Sequence, residues 1–238
     1  MDNNDFCKIQ NWYPALSGNT FPSSFVKLQP EEVEALADGA LDGPIAHNVI
    51  TRLRQPMHYI PGNCFVSVDT CAPTDTERFR LKRGAVYSPE SAWNFLAVSH
   101  KVKEAATKKE VSHICIRPFR RMNQTREFRL FIYKGELSAM SQYWLLRHFR
   151  RLEGIKEQIW EQVNDFFNEI SWNLPAETFV MDIYMTSSKK FLIIDLNPWG
   201  KDTDPLLLGN WDRDWTQKKG LVLMPPPTKI FGNVNVSF

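Results

Sequence analysis

The most constraining feature of this chain is a pair of apolar runs with an acidic residue inside each. The runs Phe179–Met185 and Phe191–Leu196 are rich in β-branched and aromatic residues, and a short polar segment, residues 186–190, separates them. This pattern predicts a β-hairpin. Asp182 lies in the first run and Asp195 in the second, where a purely structural strand would carry an apolar residue. We therefore expect functional acids on this hairpin.

The register of the two strands decides whether the acids face the same side. Asp195 and Asn197 point the same way because side chains alternate along a strand. If Tyr184 lies opposite Phe191, Asp182 joins them, whereas a shift by one residue moves it to the other side. Two carboxylates and an amide oxygen with open coordination positions suit Mg²⁺ shared with substrate phosphates. The alternative is structural: Asp182 pairs with an arginine, and Asp195 and Asn197 cap the turn.

Several short motifs resemble, in the same order along the chain, those of one known family. They are NWYP at residues 11–14, LADG at 36–39, CAPTD at 71–75, EFRLF at 127–131, SQ at 141–142, and FVMDIY at 179–184 with FLIIDLNPWGKDTDPLLL at 191–208. The motifs resemble the cell-division-cycle-one-two-three family. Its members have an ATP-grasp fold and help to assemble the heterotrimeric eukaryotic translation initiation factor two.

The resemblance implies an α+β, ATP-grasp-like fold with two subdomains and a nucleotide groove between them. We expect the N-terminal subdomain at residues 1–118 and the C-terminal one at residues 119–238, with an antiparallel sheet, the metal-binding hairpin and an extended tail. The implied cofactors are ATP and Mg²⁺.

Local patterns predict the remaining elements. Strands are expected in FVKLQP and at residues 63–69, 111–119, 126–133 and 136–144. Helices are expected from Pro30 to Gly39, over residues 43–55, as one capped helix over residues 88–107, and after residue 147. In the last helix an apolar stripe predicts core positions at Ile155, Ile159, Val163, Phe166, Phe167 and Ile170. LLLGNWDRDW resembles the opening of a family helix, and an extended tail follows it.

The resemblance also places nucleotide-binding residues in the N-terminal half. The lysine that contacts phosphate in the family falls at Ser67, and a second family lysine falls at Pro118, so two positive charges are missing. The basic turn at residues 82–83 either supplies this charge or is simply solvated. Arg117 matches a basic residue of the family, and Phe119 lies at the hinge whose backbone receives adenine.

Glu127 and Arg129 alternate on one face of a predicted strand and complete the expected nucleotide site. Arginine geometry suits bidentate contact with phosphate. We expect Arg129 to contact phosphate and to be the catalytic residue, with Glu127 beside it. The alternative is an arginine–carboxylate pair that holds the subdomain together.

Composition and charge indicate in which cellular compartment the protein is expected and which partners it could bind. The net charge is +2, hydrophobic residues make up 43% of the 238 residues, and the four cysteines lack zinc spacing. The polar start, MDNNDF, differs from a signal peptide, and no run approaches the length of a membrane span. These features predict a soluble cytoplasmic protein. Arginines at 117–129 and 147–151 form either a solvated face or a groove for a polyanion such as RNA.

Three functions are compatible with these observations. The first is an ATP- and Mg²⁺-binding assembly factor whose protein partner is a translation initiation factor subunit. The second is an ATP-dependent ligase of the ATP-grasp type that acts on RNA ends or a peptide. The third is a protein-interaction module that has lost nucleotide binding with the two lysines.

Overall fold

The computed structural model of the protein describes residues 4–227. Its helices are α1 (Ile9–Leu16), α2 (Pro30–Asp38), α3 (Pro44–His58), α4 (Glu77–Lys82), α5 (Pro89–Ala97), α6 (His100–Thr107), α7 (Arg150–Glu153) and α8 (Lys156–Ile170). Its strands are β1 (Ser24–Lys27), β2 (Cys64–Val68), β3 (His113–Pro118), β4 (Glu127–Tyr133), β5 (Glu136–Gln142), β6 (Phe179–Met185), β7 (Phe191–Asn197) and β8 (Gly220–Val222). The mixed content confirms the predicted α+β class.

The N-terminal sheet has three antiparallel strands in the order β1-β3-β2. Helices α2, α3, α5 and α6 bury their apolar sides with this sheet in one core. The single helix predicted over residues 88–107 is wrong, because the chain forms α5 and α6 instead. Ser99 separates them: its side chain accepts a hydrogen bond from the Val102 N–H as the N-cap of α6 and donates to Asp75.

The C-terminal sheet has five strands in the order β7-β6-β4-β5-β8. Its predicted antiparallel character holds for four strands, but β8 pairs with β5 in parallel. This parallel strand forms at the start of the segment that was expected to be only an extended tail. The rest of that predicted tail, residues 228–238, lies outside the described residues.

Each face of the C-terminal sheet has its own apolar layer. Helix α8 covers one face, and the predicted stripe is buried except for Ile155, which precedes the helix and is 38% exposed. On the other face, Phe131 stacks on Trp215 with ring centroids 5.3 Å apart. The helix expected in LLLGNWDRDW is absent from the described chain, where only a 3-10 turn forms over residues 206–208. Hydrogen bonds from indole N–H groups to backbone carbonyls fix this irregular segment instead.

Helix α1 lies early in the chain but packs in the C-terminal core. Ile9, Trp12 and Leu16 are buried there beside residues of β4, β6 and α8. The chain therefore crosses between the two cores, and the division at residues 118 and 119 stays a prediction. Within residues 4–227, none of the helices has the length and apolar character that a membrane span requires.

Candidate functional site

A groove of about 690 Å³ is lined by strands of both sheets. Arg117 of β3 lies on its N-terminal wall. Glu127 of β4, Asp182 of β6 and Asp195 of β7 lie on its C-terminal wall. The groove therefore brings together most of the residues that the sequence singled out, in the place where the ATP-grasp-like interpretation expects a nucleotide.

The β6–β7 hairpin starts in the second of the two registers considered from the sequence, because Met185, and not Tyr184, pairs with Phe191. A β-bulge between Ile183 and Asp182 then brings Asp182 back to the side of Asp195. Ile183 pairs with Ile193, but Asp182 pairs with Asp195, so the strand that contains Asp195 carries one extra residue. A bulge re-aims the side chains that follow it. The two acids consequently face the groove together, although the simple register would have separated them.

Arg129 makes a bidentate ion pair with Asp182. Its Nε and Nη2 atoms donate to the two carboxylate oxygens, each at 2.8 Å, and its Nη1 donates to the Asp204 carbonyl oxygen at 2.8 Å. Both side chains are buried. This is the arginine–carboxylate pair that the sequence left open as the alternative. Contact between Arg129 and phosphate, and a catalytic role for it, stay predictions.

The surroundings of this pair oppose its separation. Burial disfavours the charged form of Arg129, but the facing Asp182 carboxylate outweighs burial and raises the pKa of the guanidinium. The amide of Asn197 also donates to the Asp182 carboxylate, at 3.0 Å. Asp182 is thus fixed by two neighbours, and the Oδ1 atom of Asn197 stays available as an acceptor.

Asp195 and Glu127 are acids held in unfavourable surroundings for a negative charge. Burial raises the pKa of Asp195 to about 7; Asp182 adds to this effect and Arg117 opposes it. Burial also raises the pKa of Glu127 to about 7, against the effect of the Trp144 indole N–H. A cation bound in the groove would favour the ionised form of both acids.

The donor set fits a hard divalent cation that is shared with a ligand. Asp195, the amide oxygen of Asn197 and the oxygens of Asp182 are the ligand type that Mg²⁺ prefers. Within residues 4–227 no three His, Cys, Asp or Glu side chains converge as a metal site. Two carboxylates and one amide therefore leave coordination positions for water or phosphate.

Arg117 has an unused donor in the groove. Its Nε donates to Ser23 Oγ at 3.0 Å and its Nη1 donates to the Ile194 carbonyl oxygen at 2.9 Å. Its Nη2 atom is buried and has no hydrogen-bond partner in the described part of the chain, and the same is true of the Thr70 hydroxyl. Buried polar groups are nearly always paired. With the Trp144 indole nitrogen, three unpaired groups of the described chain line one groove, which indicates a ligand that brings hydrogen-bond acceptors.

Ser67 and Phe119 lie differently from the expectation. Ser67 pairs with Cys115 in the sheet and is outside the set of residues that line the groove. Phe119 does line the groove, but its backbone N–H donates to the Asn63 carbonyl at 2.8 Å and is already used. The nucleotide roles of both residues stay predictions.

The groove also contains residues that the sequence did not single out. An apolar part is formed by Phe21, Phe65 and Ile194, and the exposed rim carries Arg80 and Lys101. Buried and half-buried residues alternate along β2, so Phe65 has one open side. The mostly apolar sequence of this strand does not show which of its side chains face the groove.

Cys71 lines the groove but lacks the properties of a nucleophile. Burial raises the pKa of its thiol to about 12. Since the thiolate is the reactive form, the side chain is protonated and inert at neutral pH.

Two α+β halves with a groove between their sheets define an ATP-grasp-like protein, which confirms the fold class predicted from the sequence. The D123 family model matches residues 90–218, more than half of the 238 residues. The chain therefore belongs to the D123 family, the family of cell division cycle protein 123.

Individual relatives agree with this assignment. The translation initiation factor eIF2 assembly protein of Xenopus tropicalis is 39% identical over 93 residues, which cover 37% of this chain and 28% of that protein. Cell division cycle protein 123 of Eremothecium gossypii is 32% identical over 117 residues, which cover 48% of this chain and 32% of that protein. The chain thus matches less than a third of the length of either relative.

The fold itself is similar to that of a solved family member. The structure of C-terminally truncated Cdc123 from Schizosaccharomyces pombe matches with a TM-score of 0.77 and covers 91% of this chain and 94% of its own. At 18% identity, this similarity defines the fold.

Proposed function

We propose that this protein binds ATP with Mg²⁺ in the groove and acts in the cytoplasm as an assembly factor for a translation initiation factor. The observation that carries the nucleotide part is the pairing of Asp182 with Asp195 near the unsatisfied guanidinium nitrogen of Arg117, whose Nη1 donates to the carbonyl of the neighbouring Ile194. One wall thus offers ligands for a cation, and the other offers donors for an anion. A Mg²⁺–phosphate group satisfies both.

Each part of the ligand has a counterpart in the groove. Phe21, Phe65 and Ile194 provide an apolar surface for a base. Arg117 donates to phosphate oxygens, and Asp195 with Asn197 holds the metal. Mg²⁺, when bound, neutralises charge on the phosphates.

Arg129 contributes by positioning. Its bidentate bond holds the Asp182 carboxylate in place, so that the metal ligands are set before the nucleotide arrives. A preformed arrangement costs less ordering entropy when the ligand binds.

The assembly role is supported by the similarity to the translation initiation factor eIF2 assembly protein of Xenopus tropicalis. On this proposal the partner is a subunit of that initiation factor, and bound ATP holds the two sheets in the arrangement that the partner recognises. Binding of purified initiation factor subunits, with and without Mg²⁺ and ATP, tests this part. Partner binding that ignores the nucleotide would contradict it, and release of ADP or AMP in the presence of RNA or peptide would indicate a ligase.

Thermal unfolding tests the nucleotide part. A ligand at about 100 times its dissociation constant stabilises the native state by about 2.7 kcal/mol, which raises the melting temperature of a chain of this size by about 5 to 10 °C. We expect this rise with ATP and Mg²⁺ together, and a much smaller one with either alone.

A matched pair of variants assigns the effect to the proposed site. Asp195→Ala should remove the Mg²⁺-dependent rise. Asp165→Ala, which removes an exposed carboxylate from α8, should keep it. An equal rise in both variants would contradict the metal site, and no rise in the unaltered protein would contradict nucleotide binding.

A further inference from the structure

The N-terminal wall of the groove is strongly cationic. Five basic side chains line it: Arg80, Arg83, Lys101, Arg117 and Arg120. None of them makes an ion pair with a carboxylate within the described residues. The acids of the opposite wall balance only part of this charge, because Asp182 is already paired with Arg129 and burial disfavours the ionised forms of Asp195 and Glu127. The groove therefore has a surplus of positive charge on one side.

Helix α4 has three basic residues, Arg78, Arg80 and Lys82, and Arg83 follows as its C-cap; these four side chains lie on two sides. Arg80 and Arg83, three positions apart, line the groove. Arg78 and Lys82, four positions apart, lie over the Tyr87 ring at 5.6 and 5.8 Å from its centroid. Residues three and four apart share a side of a helix. Arg78 and Lys82 thus share the Tyr87 side of α4, while Arg80 and the C-cap Arg83 face the groove. Of the basic turn at residues 82–83, Arg83 lines the groove and Lys82 does not.

The backbone that carries these two arginines is fixed. The Thr76 side chain caps the start of α4, and Arg83 ends it in the left-handed conformation with φ 55°. Gly84 follows with φ 82°, and a Cβ atom there would lie 2.7 Å from Cε2 of Phe65. The turn therefore packs directly on a residue of the groove, which fixes the backbone that carries the two exposed arginine side chains.

Lys101 is held at the same rim. Its Nζ donates to Thr74 Oγ1 at 2.9 Å, and its backbone N–H donates to Asp75. The loop before α4 and the start of α6 are thereby joined, and their basic side chains face the same opening.

We propose that Arg80, Arg83 and Lys101 bind the phosphate chain of the nucleotide and make the groove select a triphosphate over a monophosphate. The inference rests on the proposed nucleotide function and assigns its charge recognition to α4 and α6. Neither Ser67 nor Pro118 brings a charge, Arg129 is committed to Asp182, and Arg117 has only its Nη2 atom unpaired. Charge-assisted bonds from arginine to phosphate are the strong class of hydrogen bond, and their number grows with the number of phosphates.

The test compares affinities for ATP, ADP and AMP, each with Mg²⁺, by titration calorimetry. We expect Arg80→Ala/Arg83→Ala to weaken ATP binding about 100-fold and AMP binding less than about 3-fold, since each of the two lost charged hydrogen bonds lowers the affinity about tenfold or more. Lys82→Ala is the matched control: it removes a charge from the same helix on the Tyr87 side and should change ATP affinity less than about 2-fold. Arg80→Lys/Arg83→Lys should recover part of the loss.

Three results would overturn the inference while leaving nucleotide binding intact. They are unchanged ATP affinity in the double alanine variant, an equal loss for ATP and AMP, and an equal loss in Lys82→Ala. If the unaltered protein binds none of the three nucleotides, the proposed function fails and this inference fails with it. Melting curves of each variant without nucleotide verify that the fold is unchanged, as expected for exposed side chains.

Discussion

The buried ion pair between Arg129 and Asp182 gives the sharpest stability prediction. The two side chains are only 7% and 8% exposed, and two hydrogen bonds of 2.8 Å join them. Asp182→Ala leaves a buried guanidinium in the sheet without the carboxylate that pairs with it. It also removes the acceptor of the Asn197 amide.

The magnitude follows from these contacts. Removing one partner of a buried pair costs about 3 to 5 kcal/mol, because the remaining charge stays desolvated without compensation. Replacing both partners by apolar residues of similar volume is far less harmful. We therefore expect Asp182→Ala to lower the free energy of unfolding by about 3 to 5 kcal/mol. The double variant Arg129→Met/Asp182→Leu should lose clearly less than the two single variants summed.

Urea unfolding monitored by tryptophan fluorescence measures these differences, and a double-mutant cycle isolates the coupling. Asp165→Ala on the exposed side of α8 is the control and should change stability by less than about 0.5 kcal/mol. A loss below about 1 kcal/mol in Asp182→Ala, or single-variant losses that simply add, would refute the argument that the pair is buried and coupled.

Two further predictions concern pH and backbone geometry. The folded-state pKa values of Glu127 and Asp195 are raised to about 7. The folded protein therefore binds more protons than the unfolded chain between about pH 4 and pH 7. These two groups consequently lower the free energy of unfolding as the pH rises through this range. Unfolding free energies at pH 5 and pH 8 should show this fall, and Glu127→Gln should reduce it; an identical difference in the variant would contradict the assignment. Gly84→Ala should lower the free energy of unfolding by about 2 to 3 kcal/mol, because of the positive φ and the contact with Phe65. Gly135→Ala, at φ 77° with open space around it, should lower it by only about 1 kcal/mol. Equal losses on urea unfolding would show that packing on Phe65 contributes nothing.

The sequence predicted those parts of the fold that depend on local pattern. Alternating or continuous apolar runs indicated every strand up to β7, and the Pro30 start and Gly39 end bounded α2 as observed. The strand β8 was not predicted, because a three-residue strand has no pattern of its own and forms by pairing with β5. The break between α5 and α6 was not predicted, because it depends on the contact of Ser99 with Asp75, which is distant in sequence.

The candidate site was predictable in its residue types and not in its geometry. The acids of the hairpin, Asp182 and Asp195, were recognised from the sequence because a charged side chain is unusual inside an apolar strand. Their common side depends on a bulge, which periodicity cannot reveal. The cationic rim at Arg80 and Lys101 was missed because its members come from different helices and meet only in the folded chain.

The central claim is that the groove binds ATP through a metal held by Asp195. The most direct measurement is titration of Mg²⁺-saturated ATP into the protein at pH 7, by calorimetry in two buffers with different ionisation enthalpies. We expect saturable binding, much weaker binding without Mg²⁺, and release of protons on binding, because the raised pKa values of Asp195 and Glu127 leave both carboxyls partly protonated before the metal binds. Asp195→Asn should weaken binding and reduce that release. Absence of binding, or the same affinity and proton release in the variant, would contradict the account.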